Sequence, residues 1–311
     1  MRIAITGSSG FVGTEIARQL QDRGHEVVKV SAPRLGPTKS TSLASAAGHI
    51  TPSASLVEEV QGCDVLINAA GNPDASAAAE DSLNGPNALL VALLGKLCIE
   101  TGIPRFIHVS SAVVQGDKEV LDSSRDVDGF SPYARSKIAG EELGLAFGPS
   151  QTVIYRPPSV HHESRRVTQQ LHRIANSMVS TVASPGDAPT PQVLLESVGH
   201  AVSELAISEA VPPNIVHHPW EGLTSRTLLE LFGAGRTPLR IPRFLAYFFL
   251  KIGKLGSRVV PQLAPYVRRV ELVWFGQKQA ESWLKITPSS VSGWENLATR
   301  VAQSNDNSES N

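Results

Sequence analysis

Cysteine is scarce in this sequence, and so is any excess of charge. The 311 residues include two cysteines, Cys63 and Cys98, both within apolar stretches, so no disulfide framework is predicted and a reducing compartment is favoured. The formal net charge is −1, which gives no electrostatic reason to expect nucleic acid as a partner. The chain is long enough to bury a full core, in one large domain or two modest ones.

Long hydrophobic runs are also lacking. The longest uninterrupted apolar run near the C-terminus, 244–250, is far shorter than the ~20 residues that a membrane span needs. The first apolar run begins at Met1 without the charged segment that opens a signal peptide, so a cytoplasmic protein is expected. Residues 303–311 are polar without apolar periodicity, and we expect them to form a disordered tail.

Three glycines spaced three apart follow the first apolar run directly. Gly7, Gly10 and Gly13 lie between a predicted first strand and a helix predicted over 14–23, with a second strand predicted at 26–30. A helix N-terminus favours a pyrophosphate, and glycine permits the tight turn and the close approach of phosphates. The order of strand, turn, helix and strand therefore predicts a dinucleotide-binding unit, with an ordinary glycine-rich turn as the alternative.

The residues after the second strand bear on which dinucleotide is bound. Instead of an acidic residue for the adenosine ribose hydroxyls, the chain has Ser31 and, three residues later, Arg34. No carboxylate would repel a 2′-phosphate there, and the guanidinium could hold it. We therefore predict NADP as the cofactor, with NAD as the alternative and with Arg34 as a solvated loop residue in the second case. Residues 35–55 are predicted to hold at most a short strand near 48–51.

A second apolar run, 64–71, is predicted to be a buried parallel strand. It ends in three small residues that would let the backbone pass close beneath a ribose: Ala69, Ala70 and Gly71. A long helix is predicted from Ser82 to about Thr101, and Asn84 near its start has helix capping as its simplest role.

Tyr133 and Lys137 stand four residues apart at the start of a predicted helix that Pro132 could initiate. An ammonium beside a phenol favours the phenolate and lowers a pKa that is ordinarily about 10, which makes a tyrosine useful as an acid and base. Ser111 lies 22 residues earlier, where a predicted strand beginning at Arg105 ends in two hydroxyls. Ser110 and Ser111 are expected to point toward the crevice at the carboxyl ends of the strands, where ligands of doubly wound sheets bind. The alternative is an ordinary surface pair on a helix.

Three segments together resemble the extended short-chain dehydrogenase/reductase superfamily. They are T-G-S-S-G-F-V-G at 6–13, V-S-S-A-V-V-Q-G at 109–116 and S-P-Y-A-R-S-K at 131–137. Within this superfamily, the chain resembles the NAD(P)-dependent epimerase/dehydratase family over about 1–158. The resemblance implies an α/β fold: a doubly wound parallel sheet (Rossmann) in a dinucleotide-binding domain over 1–158. A smaller, mainly helical substrate-binding lobe over 159–302, partly interleaved with the main sheet, would follow.

The resemblance also implies roles for individual residues. Ser111, Tyr133 and Lys137 take the catalytic positions, and an asparagine at the place of Asn84 would kink its helix and help to orient the lysine. The residues predicted to bind the cofactor are Gly7, Ser9, Gly10, Phe11, Val12, Gly13, Ser31, Arg34, Ala69, Ala70, Gly71, Tyr133, Lys137 and Pro157.

Substrate contacts are predicted where the family's pattern fails. Gln115 replaces the usual tyrosine, and residues 160–163 replace another family segment. Arg165 and Arg166 could hold a diphosphate or a carboxylate, or could be solvated helix charges. The candidates are Ser111, Gln115, His161, Arg165 and Arg166. No metal site is predicted, because neighbouring histidines on an extended chain point to opposite faces and no further ligand completes a set.

The implied activity is reversible hydride transfer to a secondary alcohol or ketone, with a nucleotide sugar as one substrate class. An epimerase would keep its cofactor, whereas a carbonyl or sterol-like reductase would release it. Ala112 and Val113 stand where dehydratases carry an acidic pair, which argues against dehydration. A non-catalytic NADP-binding sensor is an alternative of another class. A small-molecule substrate is the expected partner, and pairing of two copies through two long helices is the family's habit.

Residues 238–256 mix basic and aromatic side chains. Such a helix can lie on a membrane surface. Packing on the protein's own core or over a pocket is the more common outcome, so membrane contact is the less favoured prediction.

Overall fold

The computed structural model describes residues 1–74, 77, 79–260, 263–285 and 291–309. Its strands are β1 (Arg2–Thr6), β2 (Glu26–Val30), β3 (Val65–Asn68), β4 (Arg105–Val109), β5 (Val120–Leu121), β6 (Gln151–Arg156), β7 (Ser159–His161), β8 (Thr181–Ala183), β9 (Gln192–Leu194), β10 (Ile215–His217), β11 (Leu239–Ile241) and β12 (Lys278–Gln279).

The helices are α1 (Phe11–Asp22), α2 (Leu43–His49), α3 (Ala54–Val60), α4 (Asp81–Asn84), α5 (Leu90–Thr101), α6 (Pro132–Phe147), α7 (Arg166–Ala175), α8 (Leu195–Ile207), α9 (Ser225–Phe232), α10 (Arg243–Val259), α11 (Ala264–Phe275) and α12 (Val291–Glu309). A π-helical turn, Gly85–Leu89, joins α4 to α5. Short 3₁₀ turns lie at Ser40–Ser42 and Ala112–Gln115.

The main sheet has six strands in the order β10-β6-β4-β3-β1-β2, and every pairing in it is parallel. The carboxyl ends of all six strands therefore meet at one edge, which places the residues after β1, β3, β4 and β6 together. The predicted doubly wound parallel sheet is confirmed.

Helices cover both faces of this sheet. On one face, α1 and α8 bury Ile16, Leu20, Val198 and Val202 against the strands. On the other face, α3 and α5 contribute a second cluster that includes Val60, Leu90, Leu94 and Leu97. The helical unit 81–101 is apolar and long enough to cross a membrane by length and composition, but 78% of its most apolar window is buried inside the protein, as in a core helix.

The C-terminal part has its own core, in which α7, α9 and α12 pack around Phe232 and Trp294. It is not cut off cleanly at residue 158, because β10 pairs with β6 in the main sheet. Residues on both sides of position 158 thus contribute strands to the main sheet.

Two local expectations differ from the structure. The segment near 48–51, predicted to hold at most a short strand, instead contains the end of helix α2 (Leu43–His49), whose residues Leu43 and Ala47 are buried. The terminal helix α12 continues to Glu309, so residues 303–309 are helical where the sequence predicted a disordered tail. In both places the chain is polar overall and its apolar residues are few, which hides the helical pattern from a sequence reading.

Candidate active site

The glycine turn after β1 is shaped by close backbone contacts. Gly7 has a φ of +74°, and a Cβ there would lie 2.5 Å from the backbone nitrogen of Ala70. A Cβ at Gly13 would overlap the carbonyl oxygen of Gly7. These two glycines are therefore required by the packing of the turn against the end of β3 and against α1.

Gly10 faces more open space. It directly precedes α1, and a Cβ there would meet only the Gly7 carbonyl oxygen, at 3.1 Å. The N-terminus of α1 has no side-chain cap and no acidic residue in its first turn. The first amides of α1 are thus not occupied by a side-chain cap and suit a pyrophosphate. Ser9 is exposed in this turn, and Phe11 and Val12 begin the helix.

The end of β3 is held by a buried asparagine that the sequence analysis did not single out. The side-chain oxygen of Asn68 accepts hydrogen bonds from the Thr6 hydroxyl, at 2.9 Å, and from the Ala70 backbone nitrogen, at 3.0 Å. These bonds fix the segment of Ala69, Ala70 and Gly71 beside the glycine turn. This segment would form the floor of the dinucleotide cleft.

A buried ion pair joins β4, α6 and β6 behind the site. Arg156 and Glu141 are 2.6 Å apart and almost fully buried. The Ser110 hydroxyl donates to the same carboxylate, and Arg156 also donates to the Ser124 carbonyl at 2.8 Å. Ser110 is therefore part of this network and does not point into the crevice as expected.

Ser111 begins the next turn and stays partly accessible. Its hydroxyl oxygen accepts from the Val113 backbone nitrogen at 3.3 Å. The backbone nitrogen of Ala112 donates to the carbonyl of Pro157 at 2.9 Å, which ties the ends of β4 and β6 together. The hydroxyl of Ser111 is thereby held at the carboxyl edge of the sheet.

Tyr133 and Lys137 lie on successive turns of α6, which begins at Pro132. The Ser131 hydroxyl caps this helix by accepting from the Ala134 backbone nitrogen at 3.1 Å. Lys137 is buried, and its amine donates to the carbonyl of Val109, the last residue of β4, at 3.0 Å. Side chains from α6 and from the end of β4 thus converge at one place.

The surroundings of Lys137 disfavour its charge. Burial lowers the pKa of the amine to about 8, and the nearby Glu141 carboxylate only partly opposes this. His108 lies 3.4 Å away, through Nε2, and is fully buried with a lowered pKa. The Asn68 amide donates to His108 Nδ1, since its oxygen already accepts two bonds, so the ring proton sits on Nε2 and faces the amine.

Burial raises the pKa of the Tyr133 phenol, which differs from the expected lowering by Lys137. The charge that acts against burial is the guanidinium of Arg165. This guanidinium lies 5.0 Å from the ring centre of Phe11, at the start of α1. The guanidinium of Arg165 is therefore near both the first residue of α1 and the phenol of Tyr133.

The sequence model of the NAD dependent epimerase/dehydratase family matches residues 3–201 of this chain. The chain belongs to this family. A nicotinamide dinucleotide is therefore its cofactor.

Individual relatives have modest identity. An uncharacterized UDP-glucose epimerase from Bacillus subtilis is 25% identical over 194 residues, covering 56% of this chain and 61% of its own. A dTDP-4-dehydrorhamnose reductase from Mycolicibacterium smegmatis is 28% identical over 238 residues, covering 72% of this chain and 66% of its own. This chain thus spans about three fifths to two thirds of the length of these curated relatives.

A solved structure extends the likeness of fold to the whole chain. The human epimerase family protein SDR39U1, solved with NADPH, has a TM-score of 0.61 at 17% identity. The match covers 96% of this chain and 99% of the human one. The part of the chain after residue 201, outside the region matched by the family model, therefore also has a counterpart among solved folds.

Asn84, which was expected to kink its helix and to help orient the lysine, is the last residue of α4, directly before the π turn. Asn84 donates to the Thr38 carbonyl at 2.9 Å and to the Ser40 hydroxyl, not toward Lys137. Asn87, inside the π turn, donates instead to the Ser136 hydroxyl, 3.0 Å away and next to Lys137. Asn87, and not Asn84, therefore contacts α6.

Two of the residues proposed for substrate contact are committed elsewhere. Gln115 is buried, and its amide exchanges hydrogen bonds with Asp122 at 2.7 and 2.9 Å. His161 is buried between Gln192, at 2.7 Å, and Thr168, at 3.1 Å. Both side chains hold loops in place, so the structure argues against direct contact with a substrate.

Burial also lowers the pKa of His161 to about 4, so its ring is neutral at neutral pH. Arg166 is exposed at the first position of α7, and Arg165, which directly precedes α7, is half-buried. Of the two arginines, Arg165 faces the cleft.

The loop after β2 carries Ser31 and Arg34 exposed at the surface. Among the described residues, neither side chain forms a hydrogen bond within the protein, so neither is held away from a cofactor phosphate. His217 and His218 turn to different partners, the Ser123 hydroxyl and the Tyr155 hydroxyl. In the described part of the chain, no three His, Cys, Asp or Glu side chains form a metal-binding group.

Proposed function

We propose that this protein catalyses reversible hydride transfer between NADP and a secondary alcohol or ketone carried by a nucleotide sugar. The observation that carries the proposal is the hydrogen bond from Lys137, on α6 and four residues after Tyr133, to the Val109 carbonyl at the end of β4, a strand whose carboxyl end lies at the same sheet edge as those of β1 and β3. The curated relatives named above, a UDP-glucose epimerase and a dTDP-4-dehydrorhamnose reductase, support a nucleotide-sugar substrate.

In the proposed reaction, Tyr133 exchanges a proton with the substrate oxygen and Ser111 donates a hydrogen bond to the same oxygen. The bound nicotinamide supplies the acceptor or donor of the hydride. Arg165 stabilises the phenolate of Tyr133, because its positive charge acts on the phenol against the effect of burial. Lys137, anchored to the Val109 carbonyl, holds a proton beside the cleft and contacts the cofactor ribose.

The glycine turn and the uncapped start of α1 would bind the pyrophosphate, and the backbone of 69–71 would support the ribose. Pro157, buried at the end of β6, would line the nicotinamide end of the cleft. Arg34 would bind the 2′-phosphate that distinguishes NADP from NAD. The exposure of Arg34 on the loop after β2 supports this assignment.

Titration of the purified protein with NADPH and NADH tests the cofactor. We expect tighter binding of NADPH, and we expect Arg34→Ala to remove most of the difference. Lys29→Ala is the matched control, since Lys29 is an exposed cation on β2 and should not affect the preference. Tighter binding of NADH would contradict the assignment of Arg34.

Two assays separate an epimerase from a reductase. Mass spectrometry of the purified protein shows whether a dinucleotide is retained, as an epimerase requires. NADPH oxidation in the presence of a 4-keto nucleotide sugar detects a reductase that exchanges its cofactor. Binding of NADPH without turnover of a sugar nucleotide in either assay would support the sensor alternative and contradict the proposed activity.

A further inference from the structure

One surface of the C-terminal lobe exposes an unusual amount of apolar side chain. Of the 21 large hydrophobic residues exposed among the described residues, 13 lie between Leu239 and Val270. Most of them are on α10, where only Ala246 and Leu250 are fully buried. Isolated exposed apolar residues are common, but a contiguous patch marks a surface that meets a partner.

The exposed residues of α10 form two neighbouring stripes. Side chains three and four positions apart lie on one side of a helix. The first group, the apolar stripe, consists of Phe244, Phe248, Ile252, Leu255 and Val259. The second group, the basic stripe, consists of Arg243, Lys251 and Arg258, with Tyr247 among them; Lys254 lies on the same side but is paired with Glu271 of α11 at 2.7 Å. The helix thus presents an apolar side bordered along one edge by cations.

The opposite side of α10 fixes it to the protein. Gly253 approaches α11 so closely that a Cβ there would lie 3.2 Å from the Val267 side chain. At the edge between the two sides, Tyr247 of the basic stripe stacks on Phe275 of α11 with ring centres 4.2 Å apart. The apolar stripe is therefore held outward by packing on its reverse side.

The charge of the surrounding segment has one sign only. Residues 231–270 contain eight of the 28 lysines and arginines and none of the 29 aspartates and glutamates. The remainder of the chain then has 20 basic residues against 29 acidic ones, so the positive charge is concentrated on this segment. A surface that combines outward apolar groups with a basic flank is complementary to anionic lipid headgroups above an acyl region.

We propose that α10 binds the surface of a lipid bilayer that contains anionic phospholipids, lying in the plane of the interface. The apolar stripe enters the boundary between headgroups and acyl chains, and the basic stripe contacts the phosphates. A second copy of this chain fits the same surface poorly, because two such segments would bring their positive charges together.

Sedimentation with lipid vesicles tests the proposal on the full-length chain. Vesicles of equal parts phosphatidylglycerol and phosphatidylcholine are compared with vesicles of phosphatidylcholine alone. We expect binding to the anionic vesicles that weakens as salt is raised, and weaker binding, by at least about tenfold, to the neutral ones.

Two double variants separate the stripes. Phe248→Ser with Ile252→Ser removes apolar contact, and Lys251→Glu with Arg258→Glu reverses two charges; each should reduce binding by at least about tenfold. Because all four residues are exposed, the variants should keep the far-UV spectrum and thermal transition of the wild type. Val211→Ser and Lys29→Glu, on exposed positions outside the segment, are the matched controls and should bind as the wild type does.

The proposal is overturned if the protein does not sediment with anionic vesicles or binds neutral vesicles equally well. It is also overturned if the two double variants bind like the controls. If light scattering shows a dimer that Phe248→Ser with Ile252→Ser dissociates, and vesicles do not bind, the surface belongs to a second copy of the chain instead.

Discussion

At the active-site edge of the main sheet charged side chains are buried, whereas on α10 large apolar side chains are exposed. Lys137, Glu141 and Arg156 are each no more than 5% exposed, while Phe244 is 71% exposed and Val259 is 82% exposed. A buried charge is retained only where other groups satisfy it, so it holds a geometry in place. An exposed apolar side chain is not stabilised by burial in the fold that carries it. The first region is organised around internal contacts, whereas the second is the surface for which we propose an external contact.

The largest effect is expected at the phenol of the buried region. Tyr133→Phe removes the proton that the substrate oxygen exchanges, so kcat should fall by about 10²–10⁴-fold. Cofactor affinity should be unchanged, because the rest of the cleft is intact. Steady-state kinetics and fluorescence titration measure the two quantities. Tyr247→Phe, on the exposed helix, is the matched control, and full activity of Tyr133→Phe would remove Tyr133 from the mechanism.

The buried ion pair should contribute most to stability when only one partner is lost. Arg156→Met leaves the carboxylate of Glu141 buried without its cation, at a cost of about 3–5 kcal/mol in the free energy of unfolding. The double variant Arg156→Met with Glu141→Leu removes both charges and should regain much of the loss. Urea denaturation measures both. Equal stability of the single variant and the wild type would mean that the pair does not act as described.

The buried amine predicts a dependence of stability on pH. The pKa of Lys137 is lowered to about 8 from an ordinary value of 10.5, so between these values the unfolded chain binds the proton and the folded chain does not. Raising the pH through this window therefore favours the folded state, by about 3 kcal/mol in total. Below pH 8 this gain is absent. Lys137→Met should lack this increase, which denaturation at a series of pH values would detect.

The smallest effect is expected on the exposed helix. Phe248→Ala should change the free energy of unfolding by less than about 0.5 kcal/mol, because the side chain makes little internal contact. The matched substitution Phe106→Ala, in the core beneath the site, should cost about 3–5 kcal/mol. Similar losses in the two variants would show that the apolar stripe is packed in solution and would weaken the contrast between the regions.

Features of these regions can be predicted from the sequence when the residues that determine them are close together in the chain. The glycine turn, the strands that flank it and the spacing of Tyr133 and Lys137 are each set within a few residues, so their patterns identify them. The links among Ser110, Glu141 and Arg156 join residues that meet only when β4, α6 and β6 are assembled. No periodicity in the sequence indicates them.

Two further differences have equally specific causes. At the π turn Gly85–Leu89, Asn87 contacts α6 where Asn84 was expected to do so. A sequence pattern based on ordinary helical spacing does not predict a π turn. The basic and aromatic pattern of α10 predicts an amphipathic helix, but which side is covered depends on α11. The cover falls on the side of Ala246 and Leu250, so the aromatic side remains exposed.

Because β10 pairs with β6, the chain cannot be divided cleanly after residue 158. A truncated fragment ending at residue 158 would keep the glycine turn, Tyr133 and Lys137, yet it would leave β6 as an unprotected edge strand with apolar side chains on both faces. It would also lose α8, which covers α1. Such a fragment should aggregate when expressed alone, so the catalytic half depends on residues up to at least 217 for its solubility.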